Sequence, residues 1–152
     1  MSRLFCLFGM MGVACLLGAG CFQESTPQHS SFLPLNEYPA KFQTVRFCRP
    51  SVQHDNRYLK VLSNLGDPYT TPPPAGTVVV AEEHGDSNCS SLIDFKVMAK
   101  ENAGYDSAAG DWHWQVLDNN QDIIKGQDGH LTTCSSCHAK QPPCNGDYLC
   151  SP

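Results

Sequence analysis

The sequence predicts a mainly β fold of the α+β kind: an antiparallel sheet with a few short helices, the last of which carries a Cys-x-x-Cys-His segment. Three observations lead there. Val78, Val79 and Val80 form a β-branched run straight after the breaker Pro72-Pro73-Pro74-Ala75-Gly76. Two later segments, 95–100 and 112–118, carry apolar residues at period two, the mark of a strand. The body of the chain shows no long helical periodicity. Taken in order, residues 41–47 predict a first strand. A helix is expected within 50–65, where Val52, Leu59, Leu62 and Leu65 stand near helical spacing and Gly66 can end it. The valine run gives the next strand. In the following one Phe95, Val97 and Ala99 share a face, and Met98 falls with Lys96 and Lys100 on what reads as the solvated side. Trp112, Trp114 and Val116 share a face of the next strand, and Asp118-Asn119-Asn120-Gln121 turns the chain toward the short apolar pair Ile123-Ile124. The cysteine-rich helix comes last.

The 152 residues suit one domain, and 41% hydrophobic with 16% charged is too apolar for a disordered chain. Net charge is −5 with no run of Lys or Arg, so a nucleic-acid partner is excluded. Arg3 is the only charge before Glu24, and residues 4–20 form an uncharged run of 17. A spanning helix wants about 20 apolar residues, whereas a short positive start and a small-residue end describe an export signal over 1–20. The run closes Leu17-Gly18-Ala19-Gly20-Cys21. That resembles the lipobox of bacterial lipoproteins, with Leu17 one place further from the cysteine than the usual leucine; plain secretion and a retained helix are the other readings. Cys21 would then be lipidated and would hold the chain on a membrane. Residues 21–35, rich in Ser, Gln, Thr and Pro, form a tether, and 36–152 the domain. The expected location is periplasm-facing. Phe22, where inner-membrane retention is associated with aspartate, favours the outer membrane.

Nine cysteines sharpen the reading. Cys6 and Cys15 leave with the signal and Cys21 takes the lipid, so six remain. Cys134-Ser135-Ser136-Cys137-His138 is the attachment pattern of a covalent c-type haem. Two thiols at this spacing add to the two vinyl groups on one porphyrin edge, and His138 supplies the proximal imidazole to the iron. Four thiols are left for two disulfides in an oxidising compartment, with three connectivities open. Cys144 with Cys150 is favoured because it closes a short loop, and Cys48 with Cys89 follows by elimination. Two other chemistries use the same residues. Cys134, Cys137, Cys144 and Cys150, with or without His138, can hold a structural zinc. A Cys-x-x-Cys can also be a redox dithiol, which wants a strand before it and a long helix after it. Only 14 residues follow His138, and Pro142-Pro143 interrupts them.

Several segments together resemble a known family. Pro74-Ala75-Gly76-Thr77-Val78-Val79-Val80-Ala81-Glu82, Gly104-Tyr105-Asp106 with Gly110-Asp111-Trp112-His113-Trp114, and Cys134 to His138 followed by Asp147-Tyr148 are similar to the cytochrome P-460 and cytochrome c′-β family. The resemblance implies an antiparallel β-fold, usually dimeric, with one five-coordinate c-type haem that binds nitric oxide or similar small ligands, or oxidises hydroxylamine. In the hydroxylamine-oxidising members a lysine of the strand after the Gly-Thr turn cross-links to the porphyrin. Here that place is Ala81, so the resemblance points to the c′-β side. The insertion 141–146 is a second departure.

Facing Ala81 toward the haem puts Thr77, Val79 and Glu83 on the same side by period two. Val79 and Ala81 are then pocket residues, and such a pocket favours neutral diatomics because it offers no donor. Glu83 reads as a solvated strand-end carboxylate, His84, His113 and His130 as surface histidines, and Phe95, Trp112 and Trp114 as core. The leading function is binding of nitric oxide or carbon monoxide at a five-coordinate iron, with no catalytic residue assigned. The second is electron transfer to a redox partner protein. The third is a haem enzyme, peroxidase-like or acting on a small nitrogen compound without the cross-link.

Overall fold

The computed structural model describes residues 37–69, 73–140 and 149. The signal, Cys21, the tether and the Cys144–Cys150 pairing fall outside the described residues. The fold is the expected mainly β one. Six strands, β1 Gln43–Ser51, β2 Arg57–Ser63, β3 Val78–His84, β4 Leu92–Lys100, β5 Trp112–Asp118 and β6 Ile123–Lys125, pair in sequence order as one antiparallel sheet. Among the described residues one α-helix, α1 Thr132–Lys140, follows, and short 3-10 turns cover Val52–His54 and Ser107–Ala109.

The helix expected within 50–65 is instead the turn and second strand of a hairpin. Asp55 and Asn56 sit at φ +53° and +58°, the left-handed region that these short polar side chains tolerate. Beyond them Leu59 and Val61 pack on one side of the sheet and Leu62 on the other. Burial on both faces produced spacing that imitates one face of a helix. The first strand runs on to Ser51 for the same reason: it pairs with β2 all the way to the turn.

Each face has its own cluster. On one, Leu62, Val80, Phe95, Val97 and Leu117 are covered by Phe42 and by Tyr38, whose ring meets Phe42 and Phe95 edge-on at 5.2 and 5.7 Å. On the other, Leu59, Val61, Val79, Met98, Trp112 and Trp114 are joined by Leu149, and Leu131 and Cys134 pack against them. Met98 is 6% exposed, so its side of β4 is not the solvated face. Phe95 and Trp112 are core, as expected.

Cys48 and Cys89 form a disulfide across 41 positions of sequence, tying edge strand β1 to the loop between β3 and β4. A loop of that length removes about 4 kcal/mol of unfolded-chain entropy in the loop-closure account. Replacing both cysteines by alanine is expected to lower unfolding free energy by about 2–4 kcal/mol in urea titration. An unchanged midpoint would mean the native strain of the bridge cancels its benefit.

Candidate functional site: a cleft between the sheet and the cysteine helix

Cys134, Cys137 and His138 stand at i, i+3 and i+4 of α1, which places them on one helix face. The return from β6 puts that face against the sheet. Gly126, at φ +78°, lies so close to β5 that a Cβ would come within 2.3 Å of the Trp114 carbonyl oxygen. Gly129, at φ +80°, would overlap the His113 ring, and its carbonyl accepts the Trp114 N–H at 2.9 Å. The helix then starts at once, with the Leu131 carbonyl accepting from the N–H groups of Cys134 and Ser135. His138 lies edge-on to Trp114, ring centroids 4.9 Å apart.

Between helix and sheet is a cleft of about 600 Å³, within the roughly 300–1,000 Å³ typical of ligand and cofactor sites. Cross-strand pairing lays its floor out in rows. Val79, Met98 and Trp114 form one row; Val61, Ala81 and Lys96 the next, which pairing continues beyond the cleft to Val116; Leu59, Glu83 and Asp94 the third. Cys134, Cys137 and His138 line the opposite wall. The structure therefore brings Val79, Ala81 and Glu83 together with the cysteine–histidine segment. Thr77 lies apart, beside Ser63 and Pro74. Trp114 is a cleft residue as well as a core one.

The third row corrects the expectation of a donor-free pocket. Glu83 is 2% exposed, not a solvated carboxylate. It accepts from His54 Nδ1 at 2.5 Å and Arg57 Nη1 at 2.8 Å, and Lys96 Nζ lies 3.2 Å away. Asp94 shares Lys96 at 2.8 Å and Arg57 at 3.4 Å. Burial raises the Glu83 pKa, but the hydrogen bond from His54 and the charges of Lys96 and His54 outweigh it and bring the carboxyl down to about 2. Such a group stays ionised at neutral pH and is a poor general base, which needs a pKa near the working pH. Lys96 was missed, and Met98, the one thioether candidate left after signal removal, was set aside as a ligand, because their strand side was assigned to solvent. The signal was present: Asp94, Lys96 and Met98 keep the same period-two phase that a cleft wall requires.

Two of the expected surface histidines are not at the surface. His84 is 4% exposed and its Nε2 lies 3.2 Å from Glu82, on the Tyr38 face. His113 stacks on Tyr105 at 5.4 Å, and burial, aided by the charge of His130, lowers its pKa to about 4. His130 is exposed, as expected, and pairs with Asp106 at 3.0 Å.

Whether these residues fit a covalent haem can be asked of the geometry. Cys134 and Cys137 are both unbridged, and half-buried on the cleft wall. Burial pushes the Cys134 thiol up despite Lys96 and Lys125, which is wrong for a redox dithiol, whose attacking thiol is lowered. Among the described residues no three His, Cys, Asp or Glu side chains are grouped to hold a metal ion, so zinc would need Cys144 or Cys150. Three cleft residues, Arg46, Asp94 and Trp114, have a buried polar atom with no hydrogen-bond partner among the described residues. Buried polar atoms are normally satisfied, so these three are open to a bound group with polar edges or to water. The residues fit. Comparison of the chain with protein-family models, with curated proteins and with solved structures finds no match in any of the three.

The ionised network sets a pH window. Because the Glu83 carboxyl is held below its ordinary 4.5, its contribution is complete above that value and is lost as pH falls toward about 2. Glu83→Gln leaves Asp94 alone to balance Arg57 and Lys96 and takes the carboxylate from His54, and is expected to cost about 3 kcal/mol at pH 7. Urea titration should find that difference cut by about half at pH 3. Equal stability at pH 7 would mean the network contributes nothing net.

Proposed function

We propose that the protein is a monohaem c-type cytochrome that binds a small gaseous ligand such as nitric oxide. The observation that carries this reading is the cleft itself: two unbridged cysteines and a histidine on one helix face, set across about 600 Å³ from a sheet floor with the small side chain of Ala81 at its middle. Cys134 and Cys137 hold the porphyrin edge, and His138 gives the axial nitrogen, its ring oriented by Trp114. When bound, the haem would supply an iron able to take a small gaseous ligand. Val79 and Ala81 keep the middle of the floor small and apolar, while Glu83, Asp94, Arg57 and Lys96 neutralise one another beside them. The likeness of 74–82, 104–114 and 134–138 to the cytochrome P-460 and c′-β family supports the same reading. The Cys48–Cys89 bridge suits an exported chain, in keeping with a signal over 1–20 and a lipid anchor at Cys21.

One observation favours a second reading. Met98 lies on the cleft floor in the row between Val79 and Trp114, so a thioether is at hand as a sixth ligand, and a histidine–methionine haem carries electrons.

Haem staining after denaturing electrophoresis is expected to mark the protein and to vanish in Cys134→Ser/Cys137→Ser. The reduced protein should show a broad high-spin spectrum that changes on adding nitric oxide or carbon monoxide. Sharp low-spin bands unmoved by gas, and turned high-spin by Met98→Leu, would establish electron transfer instead. No covalent haem in the full-length exported protein would end both readings.

A further inference from the structure

Two cations that line the cleft, Arg46 and Lys125, have no ion pair among the described residues, and they stand at opposite ends: Lys125 is exposed on β6 beside the cysteine helix, Arg46 is half-buried on β1. The cleft carboxylates Glu83 and Asp94 are taken up by Arg57 and Lys96, and Asp55 is exposed in the turn at the rim. Arg46 lines the same cleft from β1, and its Nε is buried without a hydrogen-bond partner among the described residues. The backbone aims it there. Neighbouring residues of a strand normally face opposite ways. In β1 the pairing passes from Thr44↔Leu62 straight to Arg46↔Val61, skipping Val45. That shift is a bulge, the device that redirects a side chain, and it lets Val45 pack on the cleft-side cluster while Arg46 also reaches the cleft. A second shift follows between Arg46 and Arg49. Tyr69, which also lines the cleft, feels the charge of Arg46.

Position decides what Arg46 would hold. Arg46 and Val116 belong to one row, on β1 and β5. Four strand spacings separate them, roughly 19 Å along the sheet. Cys134 lies at the β5–β6 end, where it feels Lys96 and Lys125. A porphyrin bonded to Cys134 and Cys137 through its vinyl edge turns its two carboxylates to the opposite edge, away from the helix.

We infer that Arg46 is the anchor for the carboxylates of the porphyrin, an anion site at the β1 end of the cleft. The inference rests on the haem reading above. A guanidinium suits it, since its planar fork matches a carboxylate. Held there, the charge also favours the reduced over the oxidised iron, because reduction removes a positive charge from the same cleft.

The test is the midpoint potential of the haem-loaded full chain with Arg46→Gln, against Arg49→Gln as a control. Arg49 is on the same strand, carries the same charge and is exposed. Arg46→Gln is expected to lower the reduced-to-oxidised ratio at fixed potential about tenfold, ~59 mV for one electron, with Arg49→Gln near wild type. An unchanged potential with haem still attached overturns the anchor and leaves the haem reading standing. A wild-type chain without covalent haem overturns both. Where Arg46→Gln does not accumulate, the Cys134→Ser/Cys137→Ser chain is titrated with ferric protoporphyrin IX and with its dimethyl ester. Arg46 should favour the free acid by about tenfold or more, and equal affinities overturn the anchor.

Discussion

Everything in this molecule depends on the two-sided burial of its central strands. Along β3, Val80 belongs to the Tyr38 cluster, while Val79, Ala81 and Glu83 turn to the cleft. Period two leaves no third option. The Tyr38 face is packed as a core, with Val80 and Leu117 fully buried, and it fixes the register of the sheet. Once that register is fixed, the residues of the other face meet in rows with no further freedom. A slip of one residue between β3 and β4 would carry Lys96 and Met98 into the core and Phe95 and Val97 into the cleft. The chemistry of the cleft is thus held by packing on the side that takes no part in it.

The charged row is a costly way to build a floor. Removing Glu83, Asp94, Arg57 and Lys96 from water is repaid only if each finds good partners, and such networks are often no more stable than apolar substitutes. Here each carboxylate touches both cations, so none of the four can move without exposing another's charge. The network therefore acts as a rigid, nearly neutral wall. Its low Glu83 pKa keeps it so across the ordinary pH range. A neutral wall explains how one cleft floor can be polar in composition yet leave Arg46 as the cation with charge to spare at the β1 end.

The fold was legible in the sequence where one period dominated. The valine run of β3, the alternation of β4 and the tryptophans of β5 all gave strands at nearly their observed bounds. It failed at β2, where apolar residues on both faces mimicked a helix and the Asp55-Asn56 turn was not weighed. The cysteines were the clearest site signal, because a Cys-x-x-Cys-His spacing means something only in a chemical context and needs no tertiary information. Elimination likewise found the Cys48–Cys89 bridge. Arg46 and Glu83 were beyond reach for opposite reasons. Glu83 had the right phase, but a charged residue at a strand end is normally solvated, and only the cations of β2, β4 and the hairpin turn make its burial tolerable. Arg46 had the wrong phase, since a bulge is invisible to a pattern that assumes unbroken alternation.

The helix rests on the same face of the sheet. None of the nine residues of α1 is buried, and an isolated helix of that length is marginal in water. Its sequence, rich in Thr, Ser and Cys, gives little intrinsic help. What holds it is the close passage of Gly126 and Gly129 over β5 at one end and the contact of His138 with Trp114 along its face. These fix where the helix starts but bury little apolar surface. A group bonded to Cys134 and Cys137 and packed on Val79, Ala81 and Met98 would supply that missing surface. On the haem reading, the order of α1 and the attachment of the cofactor are then coupled, since whatever binds only the folded form also stabilises it.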